Sequence, residues 1–351
     1  MWLAFGIITA CYLLFNCLVC CYWSRLKVAI AVIECASTFL TATKRIVFVS
    51  IFYFFVNIIG FLFWAFACIC VLSLNPVKPV LNVPQGRTVD LDDKGFGLLI
   101  FMFVGLLWGL AFLQAKQTFV CMISAAQYYF TSSREKEGGA SICAGVWISD
   151  IKHMGSIAKG SAIHTIVFLI QVIVNAMVDA AENPKSINCV LKVVGCLLKC
   201  CFTCILRMIE FLNLNAYAFM AITGDCYCTS AWSGFILNLK HMVKFYFTQY
   251  LASMFIFVGI LGLTCLNMGT CYLIMKYGLK DADQLSYIWG PLIVVGVVTF
   301  LTALLFMAFF KDAAVALIMC MAVDLELNDG VTKFGPPSFH QKLDEIHGQY
   351  V

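Results

Sequence analysis

Only a few side chains in the apolar stretches of this sequence could do chemistry. Gln114, Lys116 and Gln117 interrupt one long apolar run, and Gln171, Asn175 and Asp179 recur every four residues in and just after another. That spacing sets the second group on one helical face as a continuous polar stripe. A polar group inside a span is costly unless it faces a cavity or a partner helix, so the stripe reads equally as a solute path or as a hydrogen-bonded seam. Aromatic rings are the other resource, because a π face attracts a cation. Trp64, Trp108, Tyr128, Tyr217 and Trp289 lie in or at the ends of apolar runs, with Trp64 and Trp108 well inside theirs. Interfacial belts place Trp and Tyr at helix ends in any membrane protein, which is the plainer reading of such rings.

Other chemistries find little support. There are five His, with no H-E-x-x-H, no clustered His boxes and no G-x-S-x-G elbow. Gly224-Asp225 resembles part of a membrane aspartyl-protease signature, but no second carboxylate with the right flanks is evident. Cys17-x-x-Cys20 and Cys201-x-x-Cys204 have zinc-like spacing, yet no second pair with His stands close and both lie in apolar helical stretches. The expectation is therefore no enzyme, no metal and no cofactor. The 19 cysteines read as small hydrophobes rather than a disulfide framework, since most lie inside apolar runs. Cys200, Cys201 and Cys204, near basic residues, also suit palmitoylation.

These residues must be positioned by helices in lipid. Of the 351 residues 62% are hydrophobic and only 12% charged, which excludes a soluble domain. The net charge of +4 is spread over short connections rather than gathered on one face, which argues against nucleic acid. About twenty apolar residues cross a bilayer. Runs of that length are Trp2 to Trp23, Ile46 to Leu74, Phe96 to Tyr129, Ser161 to Val178, Cys189 to Ile222, Phe245 to Ile274 and Tyr287 to Phe310. The fold class is all-α, a polytopic transmembrane helical bundle of about seven spans plus interfacial helices. The third and fifth runs are overlong, which leaves open a kinked helix or a span plus a surface helix. Val28 to Ala42, as a helix of about 22 Å, is too short to span and is expected in the interface, with Glu34 on its solvated face. Pro291 falls in the first turn of the last span, where its missing N–H costs least.

Lys and Arg set the orientation. Arg25, Lys27, Lys44 and Arg45 follow the first span, Arg134, Lys136, Lys152 and Lys159 the third, and Lys240 and Lys244 the fifth, so these loops are expected in the cytoplasm. In the intervening loops Asp90, Asp92 and Asp93, or Asp281 and Asp283, offset the basic residues. Residues 1–325 then form the transmembrane domain and 326–351 a short cytoplasmic tail. Met1 falls outside with no signal peptide, an awkward start that suggests further helices upstream.

Several blocks, in this order and spacing, resemble the choline transporter-like family, solute carrier family 44. They are YYFT at Tyr128 to Thr131, GSIAKGS at Gly155 to Ser161, the Cys-rich run through Cys200, Cys201 and Cys204, LNAYAFMAI at Leu214 to Ile222, CTSAWSGF at Cys228 to Phe235 and DLELNDG at Asp324 to Gly330. RLKVAIAVIECAS at Arg25 to Ser37 looks like the basic, Ala- and Ile-rich stretch after a family span. The resemblance implies about ten helices with an N-terminal span and a large extracellular loop, neither found upstream here, and a multi-pass protein of the plasma membrane or an organelle. It also implies alternating-access transport of choline or a similar small organic cation, with the lipid bilayer and other membrane proteins as partners. A quaternary ammonium has no N–H, so aromatic faces must hold it. The expected substrate residues are Trp108, Trp64, Trp289, Tyr217 and Tyr128, with Gln117 and Asn175. Many relatives carry a polar or acidic residue three positions after the Trp matching Trp108, and an Asp in the last helix. Here those positions are Ala111 and Val315, which motivates the alternative of a transport-inactive scaffold or complex subunit.

Overall fold

The computed structural model describes residues 23–79, 87–89, 91–182, 189–278 and 289–348. Ten α-helices occur among them: α1 (Trp23–Ala42), α2 (Val47–Ser73), α3 (Asp93–Thr131), α4 (Ile142–Trp147), α5 (Met154–Glu182), α6 (Cys189–Thr223), α7 (Tyr227–Lys240), α8 (Met242–Leu273), α9 (Trp289–Leu327) and α10 (Pro337–Gly348). A 3-10 turn at Lys44–Ile46 joins α1 to α2, and π turns follow α4 at Ile148–Lys152 and α8 at Ile274–Gly278. The helical bundle expected from composition is thus what the chain forms. One small hairpin is added between α2 and α3, β1 (Val77–Pro79) against β2 (Arg87–Val89), antiparallel with Val77 opposite Val89.

Among the described residues five stretches are long and apolar enough to cross a membrane: Lys44–Ser73, Asp93–Thr131, Met154–Asp179, Met242–Tyr277 and Trp289–Leu327. They match five of the seven expected runs, and Pro291 does stand in the first turn of α9. The run from Trp2 lies outside the described residues apart from its last position. The Cys189 to Ile222 run is the 35-residue helix α6. Neither overlong run breaks. α3 is continuous over 39 residues, about 58 Å, so it outruns a hydrocarbon core of about 30 Å.

The chain clusters into two units. One gathers α1, the end of α3 from Val120, α4, and the chain from Leu214 onward. Its core is built on α1, where Ala29, Ala31, Val32, Cys35, Ala36 and Phe39 are almost wholly buried. α1 packs against α8, α9 and α10. Val28 to Ala42 is not among the stretches of spanning length, and its apolar side is packed against helices of the same unit. Small residues on its buried side (Ala29, Ala31, Cys35, Ala36) let three helices approach, while Lys27, Glu34, Ser37, Thr38 and Thr41 form a more exposed polar side. Glu34 is half exposed and pairs with Lys342 of α10. The other unit gathers α2, α3 up to Phe119, and the chain from Trp147 to Asn213.

Candidate functional site

In the first unit the densest polar constellation surrounds Asp324, which is fully buried in the last turn of α9. Its Oδ2 accepts from the Tyr129 hydroxyl (3.2 Å) and from the backbone N–H groups of Lys333 (3.0 Å) and Phe334 (3.1 Å). Its Oδ1 accepts from the Asn328 amide at 2.8 Å. The chain can double back onto the carboxylate because Asp329 and Gly330 adopt positive φ, 52° and 88°. Gly335 (φ 113°) then donates its N–H to the Tyr129 carbonyl at 3.1 Å, and a Cβ there would meet the Phe339 ring at 2.9 Å. The tail is therefore bound to the ends of α3 and α9. Within α10, His340 is buried. Burial first, with Arg134 nearby, holds its ring below the ordinary histidine range.

The second unit contains a groove of about 280 Å³ between α2 and α3, lined by Asn57, Gly60, Phe61, Trp64, Met102 and Gly109 among others. Trp64 is fixed there by its indole N–H, which donates to the Met102 carbonyl at 3.0 Å. Trp108, 45% exposed, directs its indole N–H toward the Ala158 carbonyl of α5 at 3.4 Å. Eight residues further along α3, the Lys116 ammonium forms an ion pair with Asp150 of the π turn and lies 5.6 Å from the centroid of the Phe112 ring. Gln117 beside it is buried. At the end of that turn the His153 ring stands edge-on to Phe119, 5.4 Å between centroids, and burial, helped by Lys152, lowers its pKa.

The polar stripe of α5 meets α6 as a ladder. Asn213 donates to the Gly160 carbonyl (3.3 Å), His164 contacts Glu210 (3.4 Å), Gln171 donates to Thr203 (3.1 Å), and Lys199 pairs with Asp179. Gln171 and Asp179 are thus seam residues. Asn175 lies between these rungs, and its buried Oδ1 accepts no hydrogen bond among the described residues.

The seven expected substrate residues are divided between the two units. Trp64, Trp108, Gln117 and Asn175 belong to one unit, and Tyr128, Tyr217 and Trp289 to the other. Tyr128 is buried against Phe39 and donates to Glu137 at 2.7 Å. Tyr217 is buried against Tyr227, ring centroids 5.9 Å apart. Trp289 is 63% exposed in the first turn of α9. Sequence reasoning passed over the acceptor role of Asp324, although it opens the DLELNDG block, and passed over Asp150, an acid in a basic loop with no local mark of its partner. Buried Asp312 in α9 was missed as well.

The family model described as "Plasma-membrane choline transporter" matches residues 6–326. The chain belongs to this family. Among curated relatives it is 28% identical over 314 residues to Choline transporter-like protein 1 of Rattus norvegicus, covering 87% of this chain and 45% of that protein. It is 29% identical over 278 residues to Choline transporter-like protein 4 of Xenopus laevis, covering 74% and 39%. To Choline transporter-like protein 2 of Danio rerio it is 28% identical over 372 residues, covering 94% and 52%. The chain thus spans about half the length of the relatives it matches, or less. Family membership and five apolar helices of spanning length make it a multi-pass integral membrane protein. The relatives are named as choline transporter-like proteins.

Proposed function

We propose that the chain binds choline or a related small organic cation and carries it across the plasma membrane by alternating access. The observation that carries this reading is the family match over residues 6–326, which takes in all five spanning helices. The chemistry agrees with it. Trp64 and Trp108 offer π faces to a quaternary ammonium, and the α2–α3 groove has room beside Gly60 and Gly109 for a small ligand. Trp289, Tyr217, Tyr128, Gln117 and Asn175 complete the proposed substrate set; Trp289 is already exposed, and the other four are engaged in a conformation that uncovers them. The test is uptake of labelled choline by the purified chain in liposomes. Saturable uptake that unlabelled choline competes away supports the reading, and none above empty liposomes rejects it.

A second reading, a transport-inactive scaffold or complex subunit, is motivated by Ala111 and Val315, which stand where many relatives carry polar or acidic residues. It predicts no uptake by the chain alone, together with stable co-purification with other membrane proteins from its native membrane.

A further inference from the structure

We infer that the Lys116–Asp150 pair is an organic-cation site that the chain keeps filled with its own lysine. The inference rests on the substrate class proposed above. Lys116 lies within an apolar span, yet its ammonium is held by the Asp150 carboxylate, with the Phe112 ring 5.6 Å away. A carboxylate with an aromatic face is also what retains a quaternary ammonium, which has no N–H to donate and gains from charge and π face alone. The two partners differ in accessibility. The Lys116 side chain is 12% exposed and that of Asp150 is 43% exposed, so the site opens on the carboxylate side. Asp150 is carried by a π turn, a distortion frequent at functional positions. The residue before it, Ser149, is fully buried, and its hydroxyl has no partner among the described residues. The His153 ring, edge-on to Phe119, adds a further polar group at the end of the same turn.

Exchange is what this arrangement favours. Asp150 is 43% exposed and can be hydrated when unpaired, whereas the Lys116 ammonium, 12% exposed, would lose its counter-charge, so the closed pair is the populated state without ligand. Replacing one cation by another conserves the local charge, and the four-carbon stem of Lys116 lets its ammonium withdraw toward water as the ligand arrives. When the ligand departs, the lysine returns. Lys116 is thus an internal competitor: it weakens cation affinity and speeds release on the side that carries Lys152 and Lys159.

The experiment measures equilibrium binding of choline and tetramethylammonium to the full chain in nanodiscs. Lys116→Met removes the competitor and should tighten both about tenfold. Asp150→Asn should weaken both by at least as much, and the double variant should bind as weakly as Asp150→Asn. Unchanged or weaker binding in a folded Lys116→Met chain overturns the inference, as does the absence of binding in every variant. A measurement on the unmodified chain guards against misfolded variants. Saturating tetramethylammonium should increase acylation of Lys116 by an amine-reactive ester, read by peptide mass spectrometry, and unaltered labelling overturns the inference. Choline uptake that neither substitution affects would sink this site and leave the transport reading standing. Binding that shifts as expected without uptake would do the reverse.

Discussion

Trp108 tests the substrate reading most directly, because its ring is half open and its indole N–H has only a long contact to the Ala158 carbonyl. A π face contributes roughly 0.5 to 2 kcal/mol to cation binding. Trp108→Leu should therefore weaken choline binding by about two- to thirtyfold, while Trp108→Phe keeps most of it. Equal loss in both variants would assign the residue a packing role. Asp324 is a different kind of residue, an acceptor for four donors from three segments of chain. In Asp324→Asn the amide must turn its own N–H toward one set of those donors. The change should cost about 1 to 3 kcal/mol, read as a lowered melting temperature in detergent with the tail released to protease. His340 gives a pH dependence whose sign follows from its lowered pKa. Between the ordinary histidine value near 6.5 and the lower folded value, the undocked tail binds a proton and the docked tail does not. Docking should therefore weaken as pH falls below about 6.5. Arg134 opposes the charged ring, and Asp344 and Asp324 partly favour it. Amide exchange in α10 should be faster at pH 5.5 than at 7.5 after correction for intrinsic rate. His340→Gln should remove most of that difference, and a pH-independent wild type would show that the ring titrates freely.

At the scale of elements, α8 and α9 hold each other by a reciprocal device. The Met307 methyl of α9 sits where a Cβ on Gly259 would come within 2.6 Å, and the Met268 sulfur of α8 sits 2.8 Å from the corresponding point on Gly296. Gly259→Leu or Gly296→Leu should each destabilise by about 1 to 3 kcal/mol, because a thioether must leave a filled notch. Thermal melting of the two single variants checks this, and melting like the parent would mean the helices separate at no cost. The α5–α6 ladder should matter less per rung. Gln171→Leu is expected to cost about 0.6 kcal/mol, since membrane hydrogen bonds compete with those of the unfolded chain in lipid. Helix existence was legible in the sequence, since twenty-residue apolar runs have few alternatives in lipid. The stripe Gln171–Asn175–Asp179 was legible as a face, but its purpose was not, because spacing shows which residues align and never what stands opposite. The burial of α1 was illegible for the same reason: its partners α8, α9 and α10 lie about 200 to 300 residues away along the chain, and an Ala-rich helix looks alike on a surface and in a core.

For the whole molecule, orientation is the property that Lys and Arg dictate. Lys152 and Lys240 should lie on the cytoplasmic side and Asp92 on the other, so membrane-impermeant labelling of single cysteines should reach Asp92→Cys from outside and the Lys positions only after permeabilisation. Asp283 was expected to share the side of Asp92 and falls outside the described residues. Labelling Lys152→Cys and Asp92→Cys from one side would refute the orientation. The seven rings and amides were chosen by depth in apolar runs, and depth says nothing of which unit each joins. The burial of α1 also sets a schedule for biosynthesis. A ribosome adding about 5 to 20 residues per second needs roughly 10 to 40 seconds to pass from α1 to α8, and longer to complete α10. Throughout that interval Ala31, Val32 and Ala36 lack the helices that cover them and Phe39 has Tyr128 of α3 alongside it, so the nascent chain is expected to rely on chaperones or the insertion machinery to shield this surface. A nonsense codon shortly before Pro337 would spare every spanning helix and still leave this surface partly uncovered. Such a product is expected to be inserted and then degraded, and pulse-chase decay faster than that of the full chain is the measurable sign.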